Sequence, residues 1–281
     1  MISRRNVLGL GLAAGASGVA YATVLEPRWL EVTHTAVPAS VASPASVRIL
    51  HLSDLHASWC VPWSLIEGAV AAGLAQNPDI VCLTGDFVTQ GLDSDTSRYS
   101  QVLRRLSAAK PTFAVLGNHD GGSWAGARGG YPTHQAVTRL LEDAHVELLH
   151  NRALAVELPQ ARMNLIGVGD YWSDQVDAPR AFRAVAPGGS ILVLCHNPDA
   201  NELLRPYPWQ LMLCGHTHGG QVMIPFEGPR YAPVRDRRYV AGLNRFDGRH
   251  IYTTRGVGNV GGVRLGCRPE VTILNLPLLS R

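Results

Sequence analysis

The sequence predicts an α/β fold with mixed sheets, and three features of its 281 residues do so. From Val47 onward, short β-branched and leucine-rich runs alternate with segments of helical periodicity, the rhythm of layered strands and helices. Five of those runs stop abruptly at Asp, Asn or His. After Gly219 the pattern changes to short strands broken by Pro and Gly, which points to antiparallel pairing in the C-terminal half.

The elements follow in order. "VRILHLSDLH" (47–56) is a strand running into a polar cluster, and "PWSLIEGAVAAGLAQ" (62–76) has helical spacing with Pro62 near its start. "DIVCLTGD" (79–86) is a buried strand, "SRYSQVLRRLSAA" (97–109) a helix, "TFAVLGNHD" (112–120) a strand and "THQAVTRLLEDA" (133–144) a helix. Shorter strands are expected around "VELLHN", "LAVEL" and "NLIGVGD", then a helix near "APRAFRAV". "SILVLCHNPD" (190–199) and "WQLMLCGHTH" (209–218) are two more buried strands, and "HIYTTRG" and "EVTILNL" close the pattern.

Composition sets the outer limits. A hydrophobic content of 46 % supplies a sizeable core for a chain of this length. The net charge of +3 comes with no dense basic cluster, so no role as a nucleic-acid scaffold is expected. Of the five cysteines, Cys82, Cys195 and Cys214 sit inside apolar runs and read as small buried hydrophobes; without a C-x-x-C, a thiolate zinc cage is not expected.

The N-terminus is a different kind of sequence. Arg4 and Arg5 are followed by no charge until Glu26, a basic n-region and an apolar h-region. S-R-R at 3–5 resembles a twin-arginine export signal, although Val7 and Gly9 stand where that signal usually has Phe and Lys. "AYA" at 20–22 offers a cleavage site, yet Asn6 to Leu25 is also long enough to span a bilayer. Cleavage after Ala22 would change the net charge from +3 to 3 − 2 = +1. The expected organisation is therefore a signal or membrane anchor over 1–26, a Ser/Ala/Pro-rich linker over 27–46 that ends in an edge strand, and a globular domain over 47–279. The expected location is the periplasm or the outer face of the plasma membrane, with the twin-arginine machinery as a partner.

The chemistry lies at the strand ends. Asp54 and His56, Asp86, Asn118 and His119, His196, and His216 and His218 terminate five buried strands. In open α/β sheets, sites form outside the carboxyl ends of strands, so these clusters should converge. D-x-H and H-x-H spacings place both side chains of a pair on one face of an extended chain. Oxygen and imidazole donors without thiolate suit manganese, iron or zinc. The remaining histidines, His34, His51, His134, His145, His150 and His250, read as ordinary core residues. Asp170 in "GVGDYW" either lines the pocket or caps a loop. Arg255 in "TTRGVG" either grips a phosphate oxygen bidentately or is structural. The loop "GGSWAGARGGY" (121–131) offers Trp124, Arg128 and Tyr131 for substrate recognition.

The ordered set D-L-H, G-D, G-N-H-D, H and G-H-T-H over residues 47–276 resembles the calcineurin-like metallophosphoesterase superfamily. S-R-R, "LEP", "HNPD", "GHTHGGQV" and "RGVG…RPEVTIL" are closer still to a bacterial subgroup of exported or membrane-attached phosphohydrolases with phosphodiesterase and phosphatase members. The resemblance implies a four-layer α/β/β/α metallophosphoesterase sandwich around two divalent or trivalent metal ions. Asp54, His56, Asp86 and His218 would hold one ion; Asp86, Asn118, His196 and His216 would hold the other, with Asp86 bridging. His119 would stand beside the substrate as acid or oxyanion donor, oriented by Asp120. The implied activity is hydrolysis of phosphodiesters, phosphomonoesters or both. A UDP-2,3-diacylglucosamine-type pyrophosphatase and a catalytically inactive metal-bound scaffold are the alternatives.

Overall fold

A computed structural model describes residues 15–38, 45–91, 95–158, 161–229 and 232–279. Arg4 and Arg5, with residues 6–14 of the apolar run behind them, lie outside the described residues. The first sheet comprises β1 (Glu31–Ala36), β2 (Ser46–Leu52), β3 (Ile80–Thr84), β4 (Thr112–Val115), β5 (Glu147–Leu148) and β14 (Glu270–Pro277), in the order β1-β14-β2-β3-β4-β5. The second comprises β6 (Arg152–Leu158), β7 (Ala161–Gly167), β8 (Ser190–Leu194), β9 (Leu211–Cys214), β12 (Gly242–Phe246) and β13 (Arg249–Thr253), in the order β12-β13-β9-β8-β7-β6. A small hairpin, β10 (Met223–Ile224) with β11 (Gly228–Pro229), stands apart from both. Strands β2 to β5 run parallel, as do β7, β8, β9 and β13; β14, β6 and β12 enter antiparallel.

Period-two alternation sorts the strand residues into layers. In the first sheet Ile49, Ile80, Cys82 and Phe113 face the second sheet, where Leu165, Leu192, Leu194 and Leu213 meet them. Leu50, Val81, Leu83 and Ala114 face outward onto α1 (Trp63–Leu74), α2 (Thr96–Ala109) and α3 (Gln135–Asp143). The far face of the second sheet buries Val193, Met212 and Ile251 under the helical segments Ala178–Phe182 and Asn201–Leu204. The layers are α/β/β/α. Strands covered on both faces must be apolar throughout, which is why the central runs read as continuous hydrophobic stretches. The helices bury residues spaced three and four apart, such as Tyr99, Val102, Leu103 and Leu106 in α2, whose N-terminus is capped by the Asp95 carboxylate on the Arg98 N–H at 3.0 Å.

Two expectations change. The edge strand expected at the end of 27–46 lies inside that stretch, as β1, and pairs in parallel with β14 from the other end of the chain. His34 and His145 are exposed, not core residues. Among the described residues, no helix is long and apolar enough to cross a membrane.

His51, by contrast, is fully buried on β2, with Nε2 at 2.7 Å from the Thr84 hydroxyl. Burial holds its imidazole at about 3, against an ordinary 6.5, with Glu270 opposing. Below pH 6.5 an unfolded His51 takes up a proton that the folded one refuses, so its share of stability is complete above that pH and is lost as pH falls toward 3. Each pH unit in that window should cost about tenfold in the folding constant. Urea unfolding across this range should give a shallower pH slope for His51→Gln; equal slopes would place the acid sensitivity elsewhere.

Candidate metal centre

All five expected clusters meet at one edge of the sandwich. Asp54 and His56 follow β2, Asp86 follows β3, Asn118 and His119 follow β4, His196 follows β8, and His216 and His218 follow β9. The carboxyl ends of both sheets thus face one another across the site. The period-two explanation for paired side chains does not hold, however. Asp54, His56, Asp86, His216 and His218 adopt left-handed backbone, with φ of 53°, 45°, 53°, 71° and 50°. Non-glycine residues occupy that region at a cost and gather where surrounding structure demands it. Hydrogen bonds between loops hold three of them: Asp54 N–H to the Gly85 carbonyl at 2.9 Å, His56 N–H to the Asp86 carbonyl at 3.0 Å, and His216 N–H to Asp54 Oδ1 at 3.0 Å. Gly117 and Gly215 are required for closeness, because a Cβ on either would overlap Asp86 or Asp54.

The candidate donor atoms form two overlapping groups. His56 Nε2 and His218 Nε2 are 3.1 Å apart, His218 Nε2 is 3.4 Å from Asp54 Oδ1, and His56 Nε2 is 3.4 Å from Asp86 Oδ2. On the other side, His196 Nε2 is 3.1 Å from the same Asp86 Oδ2 and 3.2 Å from His216 Nδ1. One carboxylate oxygen therefore belongs to both. The Asn118 Oδ1 and His216 Nε2 are buried without any hydrogen-bond partner. Facing imidazole nitrogens and orphaned lone pairs around a carboxylate are what a cation site requires.

The electrostatics agree. Burial keeps His56 at about 3, and holds His216 and His218 well below the ordinary imidazole value, so all three are neutral donors. Burial lifts Asp54 to about 6, with His196 opposing it. Burial disfavours the Asp86 anion too, but His196, His119 and His56 hold its carboxyl well below the usual range. His196 retains a proton despite burial because Asp86 faces it, and that proton is one a metal would displace. Its Nδ1 is fixed by the Thr84 carbonyl at 2.7 Å, and His56 Nδ1 sits 3.1 Å from the Thr89 hydroxyl, so both rings present Nε2 inward.

Residues 47–220 match the calcineurin-like phosphoesterase family. The chain belongs to that family. Phosphodiesterase YaeI of Escherichia coli is 45 % identical over 278 residues, covering 98 % of this chain and all of that one. The uncharacterized metallophosphoesterase YkuE of Bacillus subtilis is 29 % identical, covering 98 % of each chain. UDP-2,3-diacylglucosamine pyrophosphatase LpxG of Chlamydia trachomatis is 26 % identical, covering 94 % of each. The protein is a metal-dependent phosphoester hydrolase, and its His/Asp clusters are of a kind that can hold divalent ions.

A cavity of about 520 Å³ opens over the phosphoesterase centre, lined by Asp86, Asn118, His119, His216 and His218, with Trp124, Trp172, Gln221, Pro233 and Val260 forming its walls and rim. His119 is half-buried; its Nδ1 donates to the Thr89 carbonyl at 2.6 Å, and its N–H donates to Asp86 Oδ1 at 2.9 Å. Asp120 does not orient it. The Asp120 carboxylate instead accepts the N–H groups of Phe87 and Gly117 at 2.7 and 2.8 Å, tying the β3 and β4 loops together. Arg255 does not line the cavity: its guanidinium pairs with Glu31 at 2.7 Å and lies 3.4 Å from Glu270. Asp170 caps its loop by accepting the Ser173 N–H at 2.6 Å and does not line the cavity. Trp124 does line it, with Arg128 stacked 4.2 Å over its ring, whereas Tyr131 sits outside.

Trp172 was not singled out by sequence reasoning. Its ring meets His216 edge-on at 4.2 Å and Trp124 at 5.3 Å. The available signal was its place two residues beyond Asp170, past the end of β7, beside the other site loops.

Proposed function

We propose that this phosphoesterase hydrolyses phosphodiesters, with phosphomonoesters as secondary substrates, at a dinuclear centre outside the plasma membrane. The observation that carries this reading is Asp86 Oδ2, which lies 3.4 Å from His56 Nε2 and 3.1 Å from His196 Nε2, between two neighbouring groups of donors. Asp54, His56, Asp86 and His218 would hold one ion, and Asp86, Asn118, His196 and His216 the other. Manganese, iron or zinc suits the oxygen and nitrogen donors. Such a pair supplies Lewis acidity at the phosphoryl oxygens and a water acidified enough to attack at neutral pH. The chain's own part is to hold that geometry rigid, to wall the phosphoryl group with Trp124 and Trp172, and to offer His119 toward the leaving oxygen. Similarity to phosphodiesterase YaeI supports the diester preference.

Metal-reconstituted protein should turn over bis(p-nitrophenyl) phosphate faster than p-nitrophenyl phosphate. Failure on both would favour an inactive metal-bound scaffold. The relation to LpxG supports a second reading, cleavage of the pyrophosphate in a nucleotide-linked acylated sugar. Release of a nucleoside monophosphate from such a lipid, in preference to diester cleavage, would establish it.

Export is proposed from S-R-R at 3–5. Changing Arg4 and Arg5 together to Lys should leave the protein in the cytoplasm, because the twin-arginine pathway reads the arginines themselves and not their charge. Fractionation that finds the doubly substituted chain outside the plasma membrane at wild-type levels would assign export to another route.

A further inference from the structure

The N-terminal segment is rooted on the wall of the metal centre. Ala22 is buried, and its carbonyl accepts the Arg264 N–H at 2.9 Å. Glu26, also fully buried, takes the Cys267 N–H on its carboxylate. The Arg264 side chain has no exposure and donates to the carbonyls of Arg255, Gly256 and Gly258. The same loop, 256–268, reaches the centre, where the Gly258 N–H donates to the Asp54 carbonyl at 2.6 Å and Val260 forms the cavity rim. Four residues of extended chain span at most about 14 Å, so Ala22 docks close to the cavity mouth.

Exposed apolar side chains gather around that loop. The Met223 N–H bonds to the Leu265 carbonyl at 2.7 Å, so the β10–β11 hairpin springs from it, and Phe226 at its tip is fully exposed. The Cys60 thiol lies 3.8 Å from Asn259 Oδ1, which sets Trp59, 86 % exposed, beside the rim. Val19, Val24 and Leu25 are exposed on the helical segment leading into Glu26. Just beyond, exposed Trp29 carries the Arg268 guanidinium 4.2 Å over its ring, an amphipathic pair suited to a lipid–water boundary. Of nine exposed large hydrophobics among the described residues, only Leu203 lies away from this loop and the cavity. A patch of this kind marks an interaction surface. Its occupant is indicated by the chain itself, since Asn6 to Leu25 carries no charge and enters the fold at the patch.

The geometry points to a bilayer-facing surface: the N-terminal helical segment, loop 256–268 and the β10–β11 tip lie on lipid and hold the cavity mouth at headgroup level. Phosphoesters presented by the membrane surface then reach the centre without crossing bulk water. The Ala22–Thr23 bond is retained, because Ala22 is packed and helical where a processing protease needs extended chain. This inference rests on the export reading for its biology, but the surface is testable without it.

The full-length chain with Cys60→Ser and Phe226→Cys, carrying an environment-sensitive dye at 226, is placed in vesicles of phosphatidylethanolamine and phosphatidylglycerol. Acyl-chain-quencher lipids should reduce its fluorescence on the order of two-fold, since interfacial apolar groups sit about 5–10 Å deep. A dye at Arg105→Cys, on the exposed face of α2, should be unaffected. Trp59→Cys serves as the second labelled position should the first fail to fold, and bis(p-nitrophenyl) phosphate turnover reports folding and activity in each sample. Active protein with no quenching at either patch position, or equal quenching at 105, overturns the surface and leaves the phosphoesterase reading intact. Quenching without turnover does the reverse. Intact mass of membrane-extracted wild-type protein should include residues before Ala22, and a chain beginning at Thr23 overturns the retained anchor.

Discussion

Asp86→Asn should abolish turnover and leave the protein unable to hold two ions. Asp86 Oδ2 lies 3.4 Å from His56 Nε2 and 3.1 Å from His196 Nε2, so one oxygen serves both donor groups. An amide is nearly isosteric but carries no charge, and two cations side by side need that charge between them. Losing the clamp removes several kcal/mol of transition-state stabilisation, on the order of 10³-fold or more in rate. Elemental analysis after metal loading should find less than one equivalent per chain, with an unchanged circular dichroism spectrum. His218→Ala is the comparison, because it spares Asp86, His196 and His216 and should retain about one equivalent. Two full equivalents in Asp86→Asn would remove Asp86 from the bridging role.

Much of this was legible because strands buried on both faces must stop where polarity begins. Ile80 to Thr84 has no exposed residue, so the change from Leu83 to Asp86 marks a strand end and a site at once. Periodicity likewise located α1, α2 and α3. Side-chain direction was not legible. Alternation would have aimed Asp54 with His56, and His216 with His218, yet those residues leave extended backbone for the left-handed region, and their convergence is enforced by bonds between loops. Asp120 shows the same limit, since its partners Phe87 and Gly117 belong to different loops and only the packed fold reveals the choice. Which of its two readings Arg255 would follow was not legible, because its countercharges, Glu31 and Glu270, lie on β1 and β14. The pairing of β1 with β14, which links the two ends of the chain, leaves no local mark either.

His119→Ala should keep both ions and the fold while losing about 10²–10⁴-fold in turnover, the range expected for a general acid. His119 lies in the cavity lining beside Asn118, and its ring meets His56 edge-on at 4.9 Å and Trp124 at 4.7 Å. The Thr89 carbonyl can only accept, so the bond at 2.6 Å fixes a proton on Nδ1 and leaves Nε2 as the working atom. When Nε2 is protonated it can donate to a leaving oxygen, which sequence reasoning had made dependent on Asp120. The fold replaces that orienting carboxylate with a backbone carbonyl that no side-chain substitution removes. A leaving group of high pKa needs the proton most, so the loss should be larger for alkyl phosphoesters than for p-nitrophenolate. His119 also lies close enough to His56 and Asp86 to form a donor group with them. Metal content and leaving-group dependence separate the two roles. Loss of an ion in His119→Ala would make it a ligand, whereas full metal with a rate deficit that grows with leaving-group pKa identifies the acid.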